Sequence, residues 1–166
     1  IQLEGFIFFA SATQVLNRIK NVIQISDDLV NSEKTRERIG EYMRLKYLVI
    51  DFEHVQSRSQ DGTTTVGMDY SGLKTFVEVK RIVKEAKLLV WFTGLSDDLM
   101  EAFRTENVLA QSLEEEDEMI DAGEEFVIRT AEDMDRGAER IETFVLERAA
   151  KLRRNWLLFE SFKKVH

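Results

Sequence analysis

The stretch from Lys46 to Ala86 constrains this chain most, because three kinds of local pattern follow one another in it. Tyr47-Leu48-Val49-Ile50 is continuously apolar, as expected of a strand covered on both faces. The excursion after it, centred on Ser57-Arg58-Ser59-Gln60-Asp61-Gly62-Thr63-Thr64-Thr65, is too polar for a core and reads as a surface loop insertion over 56–66. After Ser71 the apolar residues Leu73, Phe76, Val79, Val83 and Ala86 return in steps of three and four, with Lys74, Glu78, Lys80 and Lys84 between them. That spacing makes an amphipathic helix of about four turns. Strand, loop and helix in that order put a hydroxyl at a helix mouth, where the first backbone N–H groups lack an internal partner and carry partial positive charge. A phosphoryl group on Ser71 would stand where an anion is best tolerated, so the element reads as a switch more than a catalytic centre. The bland role for Ser71 is a helix N-cap, contributing about 1 kcal/mol.

The same alternation runs along the rest of the chain. Ile1 and Leu3 alternate with polar neighbours, Gly5 offers a turn, and Phe6-Ile7-Phe8-Phe9 has the continuous apolarity of a buried strand. Ser11 with Gln14 has capping-box spacing, and Val15, Leu16, Ile19, Val22 and Ile23 then recur at helical intervals. From Ser26 to Glu41 the pattern loosens into charged and polar residues, a connection with room for helical turns before the Tyr47 strand. Leu88-Leu89-Val90-Trp91-Phe92 reads as another buried strand, Gly94 turns the chain, and Ser96 with Asp97 and Asp98 caps a short helix carrying Leu99, Met100 and Phe103. Phe126-Val127-Ile128 is a short final strand. Thr130 with Asp133 caps a long last helix whose stripe is Met134, Ala138, Ile141, Val145, Ala149 and Leu152. Strands separated by helical crossovers imply an α/β sandwich, with a mixed, largely parallel sheet of about four or five strands covered by helices.

Charge and composition exclude several functions. A formal net charge of −8 argues against a nucleic-acid partner and against simple adsorption to anionic lipid, leaving proteins or small ligands as partners. There is no cysteine, and the two histidines, His54 and His166, have no partner at ligand spacing, so neither a metal nor a thiolate nucleophile is expected. No apolar run reaches the roughly 18 to 20 residues of a membrane span, and no direct membrane insertion of this stretch is expected. The chain begins at Ile1, inside an apparent strand, and is expected to be a piece of a larger protein. No Ser/His/Asp or Cys/His set and no P-loop nominate an enzyme. Thr93, Gly94 and Ser96 lie beyond a strand's carboxyl end, where ligands of open α/β sheets collect. With Tyr70 and Gly72 they make the candidate ligand or partner loop, a nucleotide or anion being the weakly indicated cofactor class beside ordinary turn architecture. The run Glu114-Glu115-Glu116-Asp117-Glu118 reads as a solvated surface, without the Asp-rich glycine loop of a calcium site.

Leu3-Glu4-Gly5, Phe6-Ile7-Phe8-Phe9-Ala10-Ser11-Ala12, Tyr47-Leu48-Val49-Ile50-Asp51-Phe52 and Gly67-Met68-Asp69-Tyr70-Ser71-Gly72-Leu73, in that order, resemble the STAS family, shared by sulfate transporters and anti-sigma-factor antagonists. The resemblance covers most of residues 1–150. Asp69-x-Ser71-Gly72 matches the family signature, which implies that Ser71 is a phosphorylation switch; Asp69 reads either as a residue that caps or orders the loop or as one that orients the serine or contacts a kinase. Gly5 to Ala12 and Asp133 to Glu142 look like the transporter branch. The resemblance thus implies a STAS domain over 1–152, with insertions near 56–66 and 104–125, and a 153–166 extension or linker to a neighbouring domain. Its implied role is a non-catalytic regulatory domain at the cytoplasmic face of a sulfate-permease-like anion transporter. The implied partners are its own transmembrane domain, a kinase or a second STAS copy. The alternative is a stand-alone antagonist-type phosphoswitch that binds a partner kinase. Trp156, Leu157, Leu158, Phe159 and Phe162, flanked by Arg153, Arg154, Lys163 and Lys164, are expected to pack on the core, an adjoining domain or a second copy.

Overall fold

Parallel strands need crossovers, and the apolar stripes of this sequence supply them as helices. A computed structural model describes residues 1–31, 45–55, 58–60, 63–65, 67–111 and 128–163. The acidic run at 114–118, with Phe126 and Val127, lies outside them. The elements are β1 (Gln2–Gly5), α1 (Phe9–Asn31), β2 (Tyr47–Val55), β3 (Arg58–Gln60), β4 (Thr63–Thr65), α2 (Tyr70–Glu85), β5 (Leu89–Thr93), α3 (Asp97–Thr105), β6 (Ile128–Ala131) and α4 (Met134–Lys163). The main sheet has the order β1-β2-β5-β6, and every neighbouring pair in it is parallel. The α/β expectation holds. The 56–66 excursion is more than a loop: β3 and β4 pair antiparallel as a small separate hairpin, where three consecutive β-branched threonines favour extended backbone.

Two apolar layers flank the sheet. On one face Ile50 and Phe52 of β2 and Val90 and Phe92 of β5 meet Leu16 and Ile19 of α1, Phe76, Val79 and Val83 of α2, and Leu99 and Phe103 of α3. Phe52, Phe76, Phe92 and Phe103, one from each of four elements, touch in all six pairwise combinations, with ring centroids 5.0 to 5.9 Å apart. Tilted and edge-on rings at such distances add to the burial term. On the other face Leu89, Trp91 and Ala131 pack with Tyr47, Val49, Ile141 and Phe144 of α4. The Arg129 guanidinium lies 5.4 Å from the Trp91 ring and 5.3 Å from the Phe144 ring, cationic against both. Every residue of β5 is buried, as its unbroken apolar run requires of a central strand.

Four local expectations are corrected. Phe6 to Phe9 is not a buried strand: β1 stops at Gly5 (φ +74°), Ile7 alone is buried, and α1 starts at Phe9. Ser11 is not the cap of α1 but lies in its first turn, where its Oγ accepts from the Phe8 N–H and donates to the Phe8 carbonyl, both at 2.9 Å. The helical turns allowed for after Ser26 are present, α1 running on to Asn31, and buried Ser26 faces inward and accepts from the Leu45 N–H at 2.7 Å. At α4 the cap is Asp133 alone, accepting from the Arg136 N–H at 2.7 Å, while Thr130 belongs to β6. The inward stripe of α4 is Gly137, Ile141 and Phe144, with Ala138 and Val145 exposed. The helix turns that way because Gly137 sits against Thr93, where an added Cβ would come within 2.8 Å of the threonine methyl.

Candidate functional site

A parallel sheet gathers the starts of its helices at one edge, and here all four helices of the described residues begin at the carboxyl edge. Met68 forms a parallel bridge with Ile7, closed by the Ile7 N–H to the Gly67 carbonyl at 2.9 Å and the Asp69 N–H to the Ile7 carbonyl at 3.0 Å. That bridge holds the start of α2 beside the start of α1. Asp69, in extended conformation, is the N-cap of α2: its Oδ1 accepts from the Gly72 N–H at 2.6 Å. Its Oδ2 accepts from the Phe9 N–H, the first of α1, at 3.4 Å. One carboxylate thus serves the positive ends of two helices.

The cap role assigned to Ser71 therefore belongs to Asp69. Ser71 is the second residue of α2 and is exposed, with its carbonyl accepting from the Thr75 hydroxyl at 2.9 Å. Gly72 has no room for a side chain: an added Cβ would lie 2.7 Å from Met68 Cγ, 3.1 Å from Asp69 Oδ1 and 3.3 Å from the Ile7 carbonyl oxygen. The Asp-x-Ser-Gly order is in this sense geometric, a cap, an outward hydroxyl and a close contact in four residues. Tyr70 is 64% exposed, and the Lys74 ammonium stands 5.1 Å over its ring. Lys74 also donates to Glu106, and these bonds, Glu106 first and then Tyr70, raise its pKa above the ordinary lysine value. Phe8 and Phe9, 51% and 59% exposed, complete an aromatic rim around the cap. Reading 6–9 as core strand hid those two rings; the signal for them was Gly5, which ends the strand before the run does.

The turn after β5 is built differently. Thr93 is wholly buried and its hydroxyl donates to Asp51 Oδ1 at 2.9 Å; Asp51, itself only 3% exposed, also accepts from the Glu53 N–H at 3.3 Å. Gly94 has φ +64°, and an added Cβ would come within 2.6 Å of the Glu53 nitrogen. Its N–H donates to the Glu132 carbonyl at 3.0 Å. Ser96 caps α3 by accepting from the Leu99 N–H at 3.3 Å, with Asp97 and Asp98 in the first turn. Of these residues Ser96 is exposed, whereas Thr93 has its hydroxyl turned inward to hold a buried carboxylate. Asp51 escaped notice as the polar member of an apolar run. Between α2 and α3 lies an open groove of about 320 Å³ lined by Leu73, Asp98, Glu101, Ala102, Thr105 and Glu106.

Among the described residues no group of three or more His, Cys, Asp or Glu is arranged to hold a metal ion, and no helix is long and apolar enough to cross a membrane. A family model described as the STAS domain matches residues 1–111, which span β1 to the end of α3 and include the Asp69 corner. The vacuolar basic amino acid transporter VSB1 of Saccharomyces cerevisiae is 28% identical over 109 residues, covering 66% of this chain but only 9% of that protein. The chain therefore spans a small part of the curated relative it matches. With a four-stranded parallel sheet, helices on both faces and the Asp69-Tyr70-Ser71-Gly72 corner at its carboxyl edge, the chain belongs to the STAS domain family.

Proposed function

We propose that this domain is a non-catalytic regulatory and interaction module of a membrane transporter, lying on the cytoplasmic face and docking through the rim around Ser71. The observation that carries the reading is the exposed Ser71 hydroxyl, at the second position of a helix whose first turn is fixed by Asp69 and edged by Tyr70, Phe8 and Phe9. A phosphoryl group there adds a charge of roughly −1.5 to −2 that gains from the helix N-terminus and is opposed by the Asp69 carboxylate. Its effect falls on the docking surface more than on the fold. Association with a transporter is supported by the curated relative, whose name gives basic amino acids as its cargo. Cargo is a property of the membrane part: the sulfate-permease resemblance points to an anion, the relative to a cation, and a docking domain serves either.

The test is phosphosite mapping of the native parent protein by mass spectrometry, joined to binding of the domain to the solubilised membrane part. Ser71→Glu is expected to change that affinity by about tenfold or more, as charge placed at a helix-edge interface does, and Ser71→Ala to leave it near wild type. An unmodified Ser71 under all growth conditions, with both variants binding alike, would sink the reading.

A further inference from the structure

The net charge of −8 conceals a segregation along the chain. Arg148, Lys151, Arg153, Arg154, Lys163 and Lys164 against the single Glu160 give residues 148–166 a formal charge of +5, which leaves −13 on residues 1–147. As far as Lys163 this basic part belongs to the section of α4 that outruns the sheet. Phe144 packs edge-on against Tyr47, the first residue of β2, at a centroid distance of 6.5 Å, so at Phe144 the helix has reached the amino edge of that strand. The backbone continues as helix from 145 to Lys163, a further 19 residues or about 28 Å at the α-helical rise. Val145 and Leu146, where this overhang begins, are 40% and 69% exposed. In its sequence Val145, Ala149, Leu152, Trp156 and Phe159 recur in steps of four and three, a spacing that sets them along one side of a helix.

An apolar line ending in Trp and Phe, with arginine and lysine interspersed along it and lysine after it, is the composition of a helix that lies in a membrane interface without crossing it. Two such overhangs pairing in register, parallel or antiparallel about their basic centre, would set Arg148, Lys151, Arg153 and Arg154 against their own copies, which like-charge repulsion disfavours. A surface of phospholipid with anionic headgroups offers the opposite charge together with an apolar layer for the tryptophan. We infer that residues 145–163 of α4 are a membrane-surface docking element that lies on an anionic lipid bilayer. The inference is independent of Ser71 and confines the exclusion of lipid adsorption to residues 1–147.

The chain carries its own reporter. Trp91 is wholly buried, so a change in tryptophan emission on adding vesicles comes from Trp156, the second of the two tryptophans. The whole chain is expected to co-sediment with mixed phosphatidylcholine–phosphatidylserine vesicles, with a blue shift in emission, and not with phosphatidylcholine alone. Combining Arg148→Gln, Lys151→Gln, Arg153→Gln and Arg154→Gln is expected to weaken binding by roughly a hundredfold or more, since each surface cation contributes separately. Trp156→Phe is expected to abolish the blue shift while sedimentation persists, and far-ultraviolet circular dichroism checks that each variant is folded. Equal binding to neutral vesicles, or no loss in the folded charge variant, overturns the inference. So does a dimer, measured by light scattering, that Leu152→Glu turns monomeric.

Discussion

The Asp69 carboxylate reaches across 60 residues of sequence to accept from the Phe9 backbone N–H while its other oxygen holds Gly72. Losing both bonds should cost more than losing an ordinary cap. Asp69→Ala is expected to lower unfolding stability by about 1 to 2 kcal/mol, whereas Asp69→Asn, which keeps one acceptor oxygen, should lose roughly half of that or less. Urea denaturation of the two variants beside wild type measures the difference. Equal stability for Asp69→Ala and wild type would show that the shared cap contributes nothing.

Gly72 inverts the usual rule for a helical glycine. Alanine would normally gain up to about 1 kcal/mol at such a position, but here its Cβ would meet Met68 Cγ at 2.7 Å. Gly72→Ala is therefore expected to destabilise by about 1 to 3 kcal/mol, in the range of overpacking. Thermal unfolding reads the sign.

At the end of α2, Lys87 adopts φ 58°, with the Leu88 N–H bonded to the Val83 carbonyl at 2.9 Å and the Lys87 N–H to the Lys84 carbonyl at 3.1 Å. This is the left-handed closure that glycine fills without strain. Lys87→Gly is expected to raise stability by up to about 1 kcal/mol, since the side chain is exposed and the conformation disfavours a Cβ. A lower denaturation midpoint would contradict this account of the cap.

Beneath the first turn of α4, the Thr93 hydroxyl donates, together with the Glu53 N–H, to the buried Asp51 carboxylate. Thr93→Val keeps the shape and removes the donor, so a loss of about 1 to 3 kcal/mol is expected from the under-satisfied carboxylate. Measuring the double variant Thr93→Val, Asp51→Asn beside both single variants gives the coupling between them, which should be clearly non-zero.

On the outer face of α2, Arg81 donates to Glu78 at 2.8 and 2.6 Å and holds that carboxyl below its ordinary pKa. A carboxyl lowered in the folded state contributes stability that is present above its unfolded value and is lost as pH falls through its folded value. Both side chains are well exposed, so the effect on stability should be slight and fade with salt. The sharper readout is nuclear magnetic resonance: Arg81→Gln is expected to move the Glu78 titration midpoint upward.

How much of this was legible in the sequence varies with the kind of signal. The β5 run and the Leu73 to Val83 stripe announced their elements, because burial on both faces or on one helical face leaves a periodic record. Asp69 was foreseeable as a cap or loop-ordering residue, and Ser96 as a cap, since their chemistry is local. The second bond of Asp69, to Phe9, left no trace, because it depends on Met68 bridging to Ile7 in the folded chain. The inward stripe of α4 keeps the expected Ile141 but runs through Gly137 and Phe144 in place of Ala138 and Val145, since Gly137 carries no apolar side chain and counts in packing only because Thr93 comes so close. Ser26 misled in the opposite direction: a hydroxyl reads as surface, yet this one is buried by a backbone partner 19 residues on.

The four touching phenylalanines belong to elements lying consecutively between Tyr47 and Thr105, apart from the small hairpin. β6 and α4 join only after the chain has closed from Thr93 to Ile128. Loop-closure entropy then favours an order of assembly in which the phenylalanine knot condenses first and the last strand and helix dock onto a formed sheet. Amide protons of β2 and β5 should accordingly be the slowest to exchange, and those of α4 beyond Phe144 the fastest of any helix.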